Sequence, residues 1–154
     1  MKYDHANFHW DNEFPKDVPE DNAMTHMGFF FAWALSRGLV SDFHREEEDS
    51  AGPLALVQSR TMSPRDFVIR YCDSQFTNED FTESGNEFVD NYYVKHYFDD
   101  YCKVFEGSVE TIYHVDDNWE NVDKMALLLD IRFEEWKTRR DSKPWWKFWQ
   151  RKTF

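Results

Sequence analysis

The longest apolar stretch in the chain predicts a central helix. Residues 27–36 are apolar on nearly every side, Thr25 precedes them as a potential N-cap, and Gly38 follows as the expected stop. A helix that is apolar all round is normally enclosed by the core. We therefore expect this segment, including Trp33, to lie buried at the centre of the fold.

Two later segments carry apolar residues at three- and four-residue spacing, which is the period of an amphipathic helix. Residues 86–105 present an aromatic face along most of their length. Residues 119–139 follow Asn118, a favourable N-cap, and Trp136 completes their apolar stripe. Both segments are predicted to be long helices that place one face on the core, with Trp136 buried.

Shorter helices are predicted between these segments. Ser63 and Pro64 begin a helix that should reach about residue 73, because serine caps and proline fits the first helical position. Ser50, Gly52 and Pro53 are expected to break the chain, and a short helix is predicted after them over residues 54–60. Residues 41–49 indicate either a short acidic helix or a loop.

Three further segments are predicted to be less regular. Pro15 and Pro19 exclude a regular helix from much of residues 1–21, which should be irregular or weakly extended. Residues 77–81 indicate a capped turn. Residues 108–115 alternate weakly and indicate a short strand or a loop.

The composition favours a single helical domain. The 154 residues are 41% hydrophobic and 19% aromatic, which is enough to build a core, while branched aliphatic residues are sparse and disfavour a large sheet. We predict an all-α or mostly α bundle of about five or six helices with an irregular N-terminal segment. This domain should span residues 1–142, and a basic, Trp-rich tail should span residues 143–154.

The charge is unevenly distributed. Residues 137–154 hold seven basic residues and one acidic residue, so their net charge is +6. The net charge of the whole chain is −12, so residues 1–136 carry a net charge of −18. Such a body repels nucleic acid and attracts basic partners, although a solvated surface that keeps the protein soluble is an equally ordinary explanation. The candidate partner-binding residues are the acids of the densest clusters: Glu46, Glu47, Glu48, Asp49, Asp99, Asp100, Asp116 and Asp117.

The sequence shows no catalytic signature, so we expect a protein that is not an enzyme and needs no cofactor. Its five glycines are too widely separated for a phosphate-binding loop, and its two cysteines read as buried free thiols. His5 and His9 could share a helix face and hold a metal ion, but Pro15 makes a helix there improbable. His26 is expected to satisfy a buried backbone group, so no metal site is predicted.

The N-terminal residues and the C-terminal tail indicate where in the cell the protein should be found. The first residues lack the apolar region of a signal peptide, and the longest apolar stretch is too short to span a bilayer, so a cytoplasmic protein is expected. The tail mixes tryptophan with basic residues, which suits a membrane interface or stacking on nucleic acid. We expect it instead to fold back onto the acidic body, without stable membrane insertion and without binding nucleic acid.

A set of distinct motifs is spread through most of the chain. The most specific lie in the N-terminal block: His9-Trp10, Phe14-Pro15 with Asp17 and Pro19, Thr25-His26-Met27-Gly28 and the Trp33 region. Asp117-Asn118-Trp119-Glu120-Asn121 and Glu135-Trp136-Lys137 follow near the C-terminus. In these motifs the chain resembles a family of uncharacterised bacterial domains associated with polymorphic-toxin immunity loci. The motif residues are mostly aromatic, glycine and capping types, so they are interpreted as determinants of the fold: His9, Trp10, Thr25, His26, Gly28, Trp33, Trp119 and Trp136.

The resemblance implies an immunity protein, which would bind a cognate toxin and neutralise it by occlusion. An acidic binding protein suits a basic toxin, because complementary charge speeds encounter and fixes orientation. Two alternatives remain: a metal-dependent enzyme or metal-binding domain centred on the N-terminal histidines, and a peripheral membrane adaptor that uses the Trp-rich tail. The oligomeric state is left open by the sequence.

Overall fold

Helix α1 (Thr25–Ser36) lies at the centre of the fold, as its apolar sequence predicts. The fold comes from a computed structural model that describes residues 1–142; the predicted tail, residues 143–154, lies outside the described residues. Every residue of α1 from Thr25 to Leu35 is buried, and Trp33 is only 2% exposed. The prediction of a central core helix is therefore confirmed.

The remaining helices pack around α1. They are α2 (Phe43–Glu46), α3 (Glu48–Gln58), α4 (Pro64–Tyr71), α5 (Glu83–Phe88), α6 (Phe98–Phe105) and α7 (Trp119–Asp141). Short 3-10 turns occupy Ala6–Phe8, Glu20–Met24 and Ile112–His114. The expected mostly α domain is thus confirmed, and the segment 108–115 contains a 3-10 turn where a strand or loop was predicted.

A small antiparallel sheet ties the N-terminus to the middle of the chain. Strand β1 (Lys2–His5) pairs with β2 (Gln75–Thr77), with Asp4 opposite Phe76 and an irregularity between Lys2 and Asp4. The first residues were expected to be at most weakly extended. They form a strand because β2 supplies backbone partners that local sequence does not reveal.

Helix α3 begins earlier than predicted, so the interpretation of Gly52 and Pro53 as breakers is wrong. Both residues lie inside the helix. Glu48 and Asp49 in its first turn favour the positive helix end, and Leu54 is buried in the core. Proline removes one backbone hydrogen bond near the start of the helix, and tertiary packing of the later turns compensates for it.

The predicted helix over residues 86–105 is longer and less uniform than expected. It is continuous from α5 to α6 through a π-helical segment, Val89–Tyr97, and Thr82 caps its start by accepting a hydrogen bond from the Gly85 N–H at 3.0 Å. Wider π turns are rare and often occur at functional sites. Here the wider turns accompany the burial of both Tyr93 and Tyr97.

Helix α7 closes the core against α1. Asn118 caps α7 by accepting from the Asn121 N–H at 2.8 Å, as predicted. Trp136 is 8% exposed, which confirms its predicted burial. The indole of Trp33 donates to Asp130 on α7 at 2.8 Å, so the central tryptophan is held by both packing and a hydrogen bond.

Candidate functional site

A buried carboxylate, that of Asp4, is the centre of the best-organised polar cluster. Strand β1 turns Asp4 inward, and the residue is 7% exposed. Its Oδ1 lies 3.1 Å from His9 Nε2, and its Oδ2 lies 3.0 Å from His26 Nε2. The carboxylate therefore bridges two imidazole rings that come from different parts of the chain.

Two further donors complete the surroundings of this carboxylate. The hydroxyl of Tyr93, on the π-helical segment, donates to Asp4 Oδ2 at 2.6 Å, and the His5 N–H donates to Oδ1 at 2.7 Å. Burial raises the pKa of Asp4, but the hydrogen bonds from His26, His9 and Tyr93 outweigh it and hold the pKa far below its usual range. Asp4 is consequently ionised at neutral pH.

His26 is the most deeply buried ring of the cluster. It lies in the first turn of α1, is 2% exposed, and makes a hydrogen bond to the backbone of Ala23. The hydroxyl of Tyr97 donates to the His26 carbonyl at 2.6 Å, which fixes the first turn of the helix. Burial lowers the pKa of His26 despite the neighbouring carboxylate.

His9 joins the cluster from the end of the first 3-10 turn. Its ring lies against that of His26, with centroids 4.4 Å apart, and its Nδ1 is 3.5 Å from the hydroxyl of Tyr113. His5 does not join it, because its Nδ1 accepts from the Asn7 N–H at 2.9 Å. A shared helix face for His5 and His9, which the sequence disfavours, does not form, since the segment is a strand followed by a 3-10 turn.

A second buried cluster joins His44, Cys72 and Asp80. His44 Nε2 lies 2.9 Å from Asp80 Oδ1 and 3.7 Å from Cys72 Sγ, and all three residues are buried. These are the residue types of a thiol hydrolase, but burial raises the pKa of Cys72 well above its usual value. A protonated thiol inside the core is a poor nucleophile, so Cys72 fits the expectation of a buried free thiol, whereas Cys102 is only partly buried.

The predicted partner-binding acids divide into exposed and internal groups. Glu46, Glu47, Glu48 and Asp49 are all exposed, as are Asp99 and Asp116. Asp100 is only 5% exposed and bonds Arg132, so it cannot belong to an open acidic surface. Asp117 is partly buried, accepts from Ser63 and lies 3.4 Å from Arg65 Nε.

The predicted structural-motif residues mostly occupy structural positions. Thr25 is buried, although Met24 is the N-cap residue of α1, so Thr25 begins the helix without capping it. Trp119 is partly buried and lies under the Arg60 guanidinium at 4.7 Å. Trp10 is the exception, being 40% exposed while its indole donates to the Glu20 carbonyl at 3.1 Å.

The helix dimensions bear on membrane association. Among residues 1–142, no helix has both the length and the apolar character needed to cross a bilayer. The expectation that the tail folds back onto the acidic body concerns residues 143–154, which are outside the described part of the chain.

Comparison with known proteins places the chain in a family. Residues 2–115 match the family described as Domain of unknown function (DUF7832), and the chain belongs to that family. The matched region contains Asp4, His9 and His26 as well as α1 and the π-helical segment. No curated protein and no solved structure matches the chain.

Sequence reasoning missed the central role of Asp4 and the part that Tyr93 plays. No motif in the sequence singles out Asp4, and Tyr93 is one ring among several on the aromatic face of residues 86–105. The available signal was local: Asp4 occupies an inward position of a short alternating strand. The convergence of Asp4 with His26 and Tyr93 depends on tertiary contacts.

Proposed function

We propose that this domain is an immunity-type protein that binds a basic protein toxin and neutralises it by covering its active surface. The observation that carries the proposal is the exposed acidic run at the junction of α2 and α3, residues Glu46 to Asp49. The resemblance of the sequence motifs to domains of toxin immunity loci supports this choice of partner. The proposal requires binding and no catalysis.

The acidic run has the geometry of an accessible recognition surface. Glu46 ends α2, Glu47 is extended between the helices, and Glu48 and Asp49 form the first turn of α3. Within residues 1–142, none of the four carboxylates takes part in an ion pair. Their charge is therefore available to steer a cationic partner toward this side of the domain.

Apolar side chains accompany this charge. Phe43 on α2 is 44% exposed, and Leu56 on α3 is 48% exposed. Leu56 follows Asp49 by two helical turns and so lies on the same side of α3. Apolar contacts within a charged rim are the usual composition of a protein–protein interface, in which the apolar anchors set affinity and the charges set the encounter rate.

Co-expression tests the proposal directly. The gene next to this one is examined for a toxin domain, which is expressed with and without this chain in a sensitive host, and the purified pair is tested for a complex. The proposal expects restored growth and a stable complex. The proposal is refuted if the adjacent gene encodes a toxin that the wild-type chain neither binds nor protects against. It is also refuted if no adjacent gene encodes a toxin.

A further inference from the structure

We propose that Asp4, His9 and His26 bind one divalent transition-metal ion of the zinc type. The inference is independent of the proposed toxin partner. It reverses the expectation of no metal site, which rested on Pro15 disfavouring a shared helix face for His5 and His9 and on His26 satisfying a buried backbone group. The geometry brings together a different set, in which His26 and Asp4 replace His5.

The donor set and spacing suit such an ion. One ligand atom from each of the three residues lies within 4.8 Å of the others, and the two carboxylate–imidazole separations are 3.1 and 3.0 Å. Ligands about 2.0–2.2 Å from a common zinc ion are about 3.4 Å apart at the tetrahedral angle, so a shift of roughly half an ångström would bring the observed separations to those of a bound site. Two imidazoles and one carboxylate form a common three-ligand site for zinc or ferrous iron, with a further position left for water or another ligand.

The position of His26 supports a site shared with Asp4. The ring is 2% exposed, its centroid lies 4.4 Å from that of the His9 ring, and the Tyr97 hydroxyl donates to the His26 carbonyl at 2.6 Å. The Nε2 atoms of His26 and His9 both face the Asp4 carboxylate, at 3.0 and 3.1 Å, so the ligand atoms converge before an ion binds.

The surrounding bonds are those expected around metal ligands. A coordinating carboxylate is normally itself hydrogen-bonded, and Asp4 accepts from the Tyr93 hydroxyl at 2.6 Å and from the His5 N–H at 2.7 Å. Such contacts orient the ligands before the ion binds. The ion would then fasten β1 and the following 3-10 turn to the first turn of α1.

The other two groups of candidate ligands are weaker. The His44–Cys72–Asp80 cluster is wholly buried, and its His44 Nδ1 has no partner within residues 1–142, so it lacks the outer hydrogen bond of a metal ligand. The group of Asp17, Glu110 and His114 contains two exposed carboxylates, whose side chains are 67% and 80% exposed. Both groups nevertheless supply matched controls.

The test uses the full chain without a histidine tag, stripped with a chelator and dialysed against Zn²⁺ or Co²⁺. Elemental analysis should give one ion per chain, and bound Co²⁺ should show the absorption of a site with nitrogen ligands. His9→Gln should weaken binding by at least ~100-fold, because loss of a direct ligand exceeds the ~10–100-fold effect of outer-shell changes. Asp4→Asn should weaken metal binding to a similar extent. The controls His5→Gln, His44→Gln and His114→Gln should retain the ion.

A thermal measurement separates binding from folding. His9 lies at the edge of the cluster, so His9→Gln should keep the helical circular dichroism spectrum of the wild type. Zn²⁺ should raise the melting temperature of the wild type and of His114→Gln, and leave that of His9→Gln unchanged. Absence of stoichiometric binding to the wild type, or equal binding by a folded His9→Gln, would overturn the proposal and leave a cluster held by hydrogen bonds alone.

Discussion

Asp100 and Arg132 form a two-point contact that joins α6 to α7. Arg132 Nε donates to Asp100 Oδ2 at 2.8 Å, Arg132 Nη2 donates to Oδ1 at 3.2 Å, and the hydroxyl of Tyr92 adds a bond to Oδ2 at 2.9 Å. Burial raises the pKa of Asp100, but the Arg132 and Tyr92 hydrogen bonds outweigh it and hold the pKa below its usual value. An acid that the sequence assigns to a partner surface thus braces two helices.

Arg132→Ala should destabilise the domain by about 2–3 kcal/mol at neutral pH, because it leaves a buried carboxylate without its cation. The folded-state pKa of Asp100 lies below its unfolded value of 3.8, so the contribution of the pair is complete above that pH. It should disappear as the pH falls further and Asp100 is protonated. Urea denaturation of the wild type and of Arg132→Ala, at neutral and at acidic pH, measures the difference in their free energies of unfolding.

Arg60→Ala is the matched control for this prediction. Arg60 pairs with Asp123 at 2.6 Å, but both side chains are more than half exposed, at 51% and 56%. Exposed pairs contribute about 1 kcal/mol or less. An equal loss in the free energy of unfolding for Arg132→Ala and Arg60→Ala would show that the Asp100 contact does not brace the helices.

Trp33→Ala should destabilise the domain by about 3–5 kcal/mol, since it opens a cavity in the centre of the core. Trp33→Phe keeps much of the ring but removes the bond to Asp130, and should cost about 1–2 kcal/mol. Chemical denaturation gives both values. A Trp33→Ala protein that melts near the wild-type temperature would place α1 outside the stabilising core.

Gly28→Ala should destabilise the fold by about 1–3 kcal/mol, the usual cost of overpacking. A Cβ at position 28 would lie 2.5 Å from the backbone nitrogen of Arg65, so α1 and α4 would have to separate. Gly52→Ala is the control, because a Cβ there meets nothing within 4 Å and helix propensity favours alanine. The melting temperature should fall for Gly28→Ala and rise for Gly52→Ala. Similar changes in both variants would show that the close contact between α1 and α4 is not the cause.

Reversal of Glu46, Glu47 and Glu48 to lysine should leave stability within about 0.5 kcal/mol and slow association with the toxin. The loss should lie in the on-rate and shrink at high salt, because exposed charges act over the Debye length. Binding kinetics at two salt concentrations measure both effects. The same reversal at Glu13, Glu79 and Glu106, which are exposed but scattered, controls for net charge.

If the scattered reversal slows association as much as the clustered one, general charge attracts the toxin and the acidic run is not the contact. Unchanged kinetics for the clustered reversal would remove these residues from the interface. Asp99 and Asp116 are then the next exposed acids to reverse.

Deletion of residues 143–154 should leave a folded domain. The last described helix ends at Asp141, and its buried residues, including Phe133 and Trp136, all precede the deletion. Circular dichroism and a cooperative thermal transition of the truncated chain provide the measurement. An insoluble or non-cooperative product would show that the tryptophans of the tail belong to the core.

The helices themselves could be predicted from the sequence because their determinants are local. Apolar spacing placed α1 and α7, and capping residues placed the starts of α4 and α7, where Ser63 and Asn118 accept the expected backbone hydrogen bonds. Prediction failed at α3 and β1. In both cases contacts made by distant residues outweighed the local preferences of proline or of a polar N-terminal segment.

The sequence by itself determined the long helices and the burial of Trp33 and Trp136, since an all-apolar run or an apolar stripe records which surface of a helix avoids water. Only the tertiary structure decided the surroundings of Asp4 and Asp100. Tyr93 reaches Asp4 across 89 residues of chain, and Arg132 reaches Asp100 across 32. Such convergence depends on strand pairing, on the π-helical register and on helix packing, none of which has a signature in the residues that it brings together.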